Sequence, residues 1–165
     1  MTNLIHDSET PAAGQQVMTS CAFMHHSFDG VEKIFLPKRA DTKKFLPGVF
    51  ELPGGHIEYG EDPKDGLVRE IKEELHSDIE VGDPFFVFEY TNKVKGSQSF
   101  EVVYFAKFTS NINLIALNPE DHSEFGWFAE DELHLATTKS KGLDDVEFVA
   151  MRKGFSLLHG KPLNF

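Results

Sequence analysis

The chain has a single cysteine, Cys21, in 165 residues. A lone thiol forms no intramolecular disulfide and supports no cysteine-based metal site. A reducing compartment fits that usage, and the expected localisation is cytoplasmic. No run of about 18 apolar residues occurs, and no basic segment near the start leads into a hydrophobic one, so neither a membrane span nor a secretory signal is expected. Positive charge is scarce too: 16 Lys and Arg against 27 Asp and Glu leave a formal net charge of -11. That balance argues against broad electrostatic binding to nucleic acid or anionic lipid, so neither is expected as a partner. There is no internal repeat, no low-complexity tract and no P-loop pattern for phosphates, and Cys21 has no identifiable partner for a nucleophilic dyad.

What is present suits one globular domain. Hydrophobic residues make up 40% of the chain and include 16 phenylalanines, and the length suffices to bury a substantial core. Residues 1 to 15, with Asp7, Glu9, Pro11 and Gly14, are polar and aperiodic and read as a loose tail ahead of a domain over 16–165. Val17 to Met24 and Val31 to Leu36 read as strands joined by a hairpin turn at Asp29-Gly30. Phe85 to Tyr90 and Ser99 to Phe108, rich in aromatic and β-branched residues, read as an antiparallel pair around Lys95-Gly96-Ser97. Phe125 to Phe128 is a further short strand and Asp131 to Leu135 a helical turn. Asp144 to about His159 places Val146, Val149, Ala150, Leu157 and Leu158 at helical spacing behind an Asp cap. Strands mixed with two substantial helices imply an α/β domain with its sheet covered on both sides.

The most informative stretch runs from Leu52-Pro53-Gly54-Gly55 to Glu73-Glu74-Leu75. A glycine turn leads into a helix that should begin at residue 62 or 63, because Asp62 can cap a free N-H and Pro63 suits the first helical position. Leu67, Val68, Ile71 and Leu75 fall on one arc of that helix; Glu70, Glu73 and Glu74 fall on the neighbouring arc. Like charges at these spacings cost roughly 0.2 to 0.5 kcal/mol per pair. A divalent cation would offset that, since carboxylates are hard ligands suited to Mg²⁺ or Mn²⁺ and a Gly55 carbonyl could complete the set. Arg69 could orient the carboxylates. Taken alone, Glu-Ile-Lys-Glu-Glu reads better as an ordinary solvated helix face.

The wider spacing decides between these. Gly55, five residues, Glu61, seven residues, Arg69-Glu70, the aliphatic Ile71, one residue, and Glu73-Glu74 resembles the Nudix box of the Nudix hydrolases. Six fixed positions coincide by chance at roughly one in ten million per start. His76 and Ser77 stand where the family has a glycine and an aliphatic residue; that glycine closes the helix in a left-handed conformation, which histidine adopts at some strain. The resemblance implies an α/β/α sandwich with a mixed β-sheet. It also implies Mg²⁺, or Mn²⁺, held by Gly55, Glu70, Glu73 and Glu74 and bridging the pyrophosphate of a small-molecule nucleotide substrate. Glu61 could support the loop or act through water.

Outside the box, Arg39 and Lys38 are candidates for substrate phosphate, with Lys43 and Lys44 nearby. His56, inside the glycine turn, could also approach phosphate. Glu120 and His122, in the segment before Trp127, are candidates for a further base or ligand of the kind Nudix enzymes take from outside the box. Trp127, Phe45 and Phe50 could stack a base, although core packing explains any one aromatic as well. The resemblance implies hydrolysis of a nucleoside diphosphate derivative, with a MutT-like conversion of a nucleoside triphosphate to monophosphate and pyrophosphate as the first choice. Nucleotide-sugar hydrolysis of the GDP-mannose type, for which His122 is suited, or ADP-ribose hydrolysis is the alternative. A non-catalytic nucleotide-binding module of the same fold is a further one. A homodimer is common in the family, but no residue here argues for it.

Overall fold

The computed structural model describes residues 7–161. Six strands and two α-helices are arranged in the order β1 (Gln16–Phe28), β2 (Val31–Arg39), β3 (Gly54–His56), α1 (Pro63–Leu75), β4 (Ile79–Asn92), β5 (Ser97–Phe108), β6 (His122–Phe128) and α2 (Val146–Leu158). Two 3-10 turns, Ile112–Leu114 and Glu130–Ala136, flank β6. No helix among the described residues is long and apolar enough to cross a membrane.

The sheet runs β4-β5-β1-β2-β6, with β3 also paired to β1. It is mixed: β1 and β5 are parallel, and the other pairings are antiparallel. One edge of β1 serves two partners. His25 to Phe28 pair with β2, whereas Thr19 to Cys21 pair with β3. The expected glycine turn at Gly54-Gly55 is therefore a strand. A Cβ at Gly54 would collide with the backbone of Ser20 and Cys21, so only glycine lets the two chains approach this closely.

Alternation along β1 divides the core. Cys21 and Phe23 face α2 and join Ile34, Val103, Phe148, Met151 and Phe155, while Ala22 and Met24 face α1 and join Phe35, Leu67, Ile71 and Leu75. Each helix covers one face, as an α/β/α sandwich requires. The two helices differ from expectation in detail. Val68 is 39% exposed and stands outside the buried arc of α1, and Val149 of α2 is exposed while Phe148, Met151 and Phe155 carry the packing.

The tail expectation concerns residues 1 to 15, of which 1–6 lie outside the described residues. From residue 7 the segment is held. Lys95 Nζ donates to the Asp7 carbonyl and Asn92 Nδ2 to the Ser8 carbonyl, and Ala12 is buried with its N-H on the Lys95 carbonyl. Polar residues misled the reading here because the partners lie in the β4–β5 turn, some 80 residues away.

Candidate active site

Helix α1 is built as its termini predict. Asp62 caps it, accepting from Lys64 N-H at 2.8 Å, and Pro63 occupies the first turn. It ends at His76, which takes the left-handed conformation at φ 50° and ψ 33° in place of a glycine. Its ring Nδ1 lies 2.8 Å from the Ala116 carbonyl. The following loop closes the helix end: Ala116 N-H donates to Leu75 O at 3.2 Å and Asn118 N-H to Glu74 O at 2.7 Å. These contacts satisfy carbonyls that the helix cannot. They also deliver Asp121 and His122 to the carboxylate side of α1.

There a cleft of about 1150 Å³ opens, lined by Gly54, Gly55, Glu70, Glu73 and Glu74, by Glu51, Asp121 and His122, and by Arg39, Lys43, Lys44 and Phe45. Arg69 holds the carboxylate row in place. Its Nε and Nη2 donate to Glu61 at 2.9 and 3.0 Å, Nη1 to Glu70 at 2.7 Å, and Nη2 to the His56 carbonyl at 2.9 Å; Glu73 lies 3.6 Å away. One planar guanidinium thus ties α1 to β3 and to the loop between them. Glu61 also accepts from Glu58 N-H at 2.9 Å, a loop-supporting contact.

The three glutamates of the row differ in surroundings. Glu73 is 60% exposed at its side chain. Glu70 is largely buried, and its carboxylate fills the space a Cβ at Gly55 would need. Burial raises its proton affinity, and Arg69 partly offsets this. Glu74 is buried, with Oε2 lacking any hydrogen-bond partner. Burial, then the charges of Glu51, Glu70 and Asp121, push its carboxyl well above the usual range. Among the described residues no three His, Cys, Asp or Glu side chains converge closely enough to ligate a metal. Glu70 is turned to Arg69 instead. The donor chemistry nevertheless fits a hard divalent cation: a partnerless buried carboxylate oxygen, an excess of negative charge and a Gly55 backbone against Glu70 are what Mg²⁺ would compensate.

A second ion network lies beside the row. Glu51 accepts from Arg39 Nη1 at 3.2 and 3.3 Å and lies 2.9 Å from His122 Nε2. Burial opposes its charge, but Arg39 and His122 hold its carboxyl down at about 2. Since this lies below the ordinary 4.5 of the unfolded chain, Glu51 contributes stability that is present above about pH 4.5 and lost as pH falls toward 2. Urea denaturation between pH 7 and 3 should show the advantage of the wild type over Glu51→Gln, roughly 3 kcal/mol at pH 7, shrinking as the acid limb is entered. A constant difference across that range would sink this account.

The cleft gathers most, though not all, of the sequence candidates. Gly55, His56, Arg69, Glu70, Glu73, Glu74 and His122 line it; Arg39 does too, but its Nε donates to the Phe45 carbonyl and its Nη2 to Ser8 Oγ, so it serves as a strut between the walls. Lys38 is ion-paired with Glu124 at 3.0 Å and does not line the cleft. Glu120 is exposed and outside it, while its neighbour Asp121 lines it and binds Lys43 at 2.7 Å. Trp127 lies on the α1 face of the sheet, packed with Phe28, Phe35 and Phe108. Phe45 does reach the cleft, stacked on Tyr90 at 5.9 Å and 16°.

Sequence reasoning missed Glu51, Glu101, Lys141 and Glu147, all in the cleft wall. One signal was available. Within Phe100-Glu101-Val102-Val103-Tyr104-Phe105, the strand period puts Glu101 on the same face as Val103 and Phe105, where a carboxylate is out of place unless it faces a cavity.

Comparisons with known proteins agree with this geometry. The NUDIX domain model matches residues 21–148. An uncharacterized Nudix hydrolase of Nostoc sp. is 40% identical over 48 residues, so the chain spans only 28% of that relative. An RNA pyrophosphohydrolase of Campylobacter jejuni is 30% identical over 132 residues, 77% of this chain and 72% of that one. The crystal structure of a MutT Nudix hydrolase from Burkholderia pseudomallei is similar at a TM-score of 0.62 with 28% identity, covering 77% of this chain and 93% of the other.

Proposed function

Because this chain belongs to the Nudix hydrolase family, we propose that it hydrolyses a pyrophosphate bond in a nucleoside diphosphate derivative, with a nucleoside triphosphate as first choice and nucleoside monophosphate and pyrophosphate as products. The observation that supports this most is the buried, partnerless Glu74 Oε2 beside Glu70 and Gly55 at the end of a cleft large enough for a nucleotide.

In this reading Glu70, Glu73, Glu74 and the Gly55 carbonyl would hold Mg²⁺. When bound, the ion lowers the pKa of a water and stabilises charge on phosphate oxygens. The chain's own groups do the rest. Arg69 keeps Glu70 beside Gly55 and tethers the row to β3, so only the carboxylate ends have to turn toward a bound ion. Lys43 and Lys44 at the cleft rim supply positive charge for the distal phosphates. Water oxygen forms the new bond to one phosphorus as the bridging P–O bond breaks, the water's proton passes to a carboxylate of the row, and pyrophosphate leaves.

The Campylobacter relative motivates a second reading, in which an RNA carrying a terminal pyrophosphate bond is the substrate. The test is phosphate release in Mg²⁺ and in EDTA, coupled through pyrophosphatase for nucleoside triphosphates and such RNA oligonucleotides, and through a phosphomonoesterase for nucleotide sugars, ADP-ribose and dinucleoside polyphosphates, whose products carry terminal monoesters instead of pyrophosphate. Turnover of nucleoside triphosphates that EDTA removes is the expected result. Turnover confined to another class overturns the substrate choice, and nucleotide binding without turnover of any substrate overturns the reaction.

A further inference from the structure

The cleft extends from the carboxylate row onto the sheet, where its floor is formed by Thr19 of β1, Phe88 and Tyr90 of β4, and Glu101 of β5. These residues are neighbours by register: Thr19 and Phe88 are the two cross-strand partners of Glu101. Phe45 covers this end from above by stacking on Tyr90. The result is a largely aromatic end of the cleft with Glu101 on its floor, continuous with the carboxylate row.

We propose that Glu101 reads the base of the bound nucleotide, its carboxyl group donating one hydrogen bond and accepting another from a donor and acceptor side by side on the base edge. The proposal rests on the nucleotide reading above. Among the described residues Glu101 has no salt bridge. The cations near it are engaged: Lys141 by Glu147 and the Phe50 carbonyl, and Arg39 by Glu51. The charged groups acting on it are Glu147 from α2 and Glu51 from the segment before β3, opposed by the Lys141 ammonium; the buried thiol of Cys21 on β1 is a hydrogen-bonding neighbour. A buried carboxyl with two acid neighbours, and with the nearest ammonium already engaged by Glu147, holds its proton more tightly than a free one. Burial, reinforced by the Glu147 charge and only partly offset by Lys141, accordingly pushes the Glu101 carboxyl above the usual carboxylate range.

A neutral carboxyl is a donor beside an acceptor, and each common base offers such a pair: a ring nitrogen with an exocyclic amine in adenine and cytosine, a ring N-H with a carbonyl in guanine and uracil. An ionised carboxylate, with acceptors only, matches guanine alone. Glu101 therefore gives affinity for a base without narrow choice among bases, and the aromatic walls add sequence-tolerant stacking.

The test is calorimetric binding of AMP, CMP, GMP and UMP against ribose 5-phosphate, in Mg²⁺, by wild type, Glu101→Gln and Glu101→Leu. The carboxamide keeps one donor and one acceptor, so Glu101→Gln should stay within a few fold of wild type. Glu101→Leu should lose about 10- to 100-fold for every monophosphate and little for ribose 5-phosphate, which also reports that the variant is folded. Should it fail to fold, Glu101→Asp, with its carboxyl withdrawn by one methylene, carries the same comparison. Equal losses with and without a base, or monophosphates that bind wild type no better than ribose 5-phosphate, overturn the proposal even if triphosphates are hydrolysed. Base-dependent binding that Glu101→Leu removes, in a protein that hydrolyses no triphosphate, leaves Glu101 in place and overturns the reaction.

Discussion

Glu73→Gln and Glu74→Gln should both lower kcat/KM by about 10³-fold or more, yet only the second should change stability. The size follows from the several kcal/mol that a bound divalent ion contributes to phosphoryl transfer, at 1.36 kcal/mol for each factor of ten. The stability effects follow from where the two carboxylates sit. Glu73 is 60% exposed and makes only a 3.6 Å contact with Arg69, so its loss should leave unfolding within about 0.5 kcal/mol of wild type. Glu74 is buried among the charges of Glu51, Glu70 and Asp121 with an oxygen that meets no donor. An amide there removes the repulsion and can donate to the surrounding carboxylates. In EDTA, Glu74→Gln should therefore be more stable than wild type by about 1 to 3 kcal/mol in urea denaturation. Added Mg²⁺ should reverse the order, since a ligand at 100 times its Kd stabilises the protein that binds it by about 2.7 kcal/mol. A Glu74→Gln protein that is less stable than wild type in EDTA, or that keeps its turnover, contradicts the placement of this residue as a ligand held in waiting.

That opposition between stability and chemistry also marks what the sequence could reveal. The signals for α1 are local: Asp62, Pro63, the Leu67-Ile71-Leu75 arc and the carboxylates all lie within one helix and its cap, so both the element and the row were legible. Even the departure at His76 could be read correctly, because a left-handed residue is a local requirement. The α/β/α layering followed from element types, and the alternation of Cys21, Ala22, Phe23 and Met24 between two cores bears it out. Strand β3 was not legible, because three residues beginning with two glycines become a strand only by pairing with β1. Trp127 was placed by an aromatic's general aptitude for stacking, whereas its face is set by strand parity: its cross-strand partner Phe35 belongs to the α1 core. Glu51, Glu101, Lys141 and Glu147 are scattered over almost 100 residues, and only the sheet and the docking of α2 bring them to one cleft.

Lys141→Ala should be among the most damaging single changes to the fold, costing about 3 to 5 kcal/mol and lowering Tm by roughly 10 °C or more for a chain of this size. Lys141 is 3% exposed at its side chain, and its ammonium is held by Glu147 and, at 3.2 Å, by the Phe50 carbonyl. Glu147, itself buried in the first turn of α2, also accepts from Leu52 N-H, so this pair joins α2 to the segment that enters β3. Burial alone would disfavour both charges; Glu147 more than offsets this for Lys141, whose ammonium is held above its usual range, whereas burial outweighs Lys141 at Glu147 and leaves that carboxyl raised. Truncating the lysine leaves Glu147 facing Glu101 and Glu51 with no cation, and the carboxylate can persist only by taking a proton. Glu147→Gln in the same chain removes the stranded charge while keeping an acceptor for Leu52. The double variant Lys141→Ala, Glu147→Gln should therefore recover most of the loss, with a coupling of about 2 to 3 kcal/mol in the double-mutant cycle measured by urea denaturation at pH 7. Additive losses would mean that the two side chains stabilise the cleft wall independently. Coupling of the expected size would instead mean that Glu147 engages the Lys141 charge, which is what leaves Glu101 on the cleft floor without a salt bridge of its own.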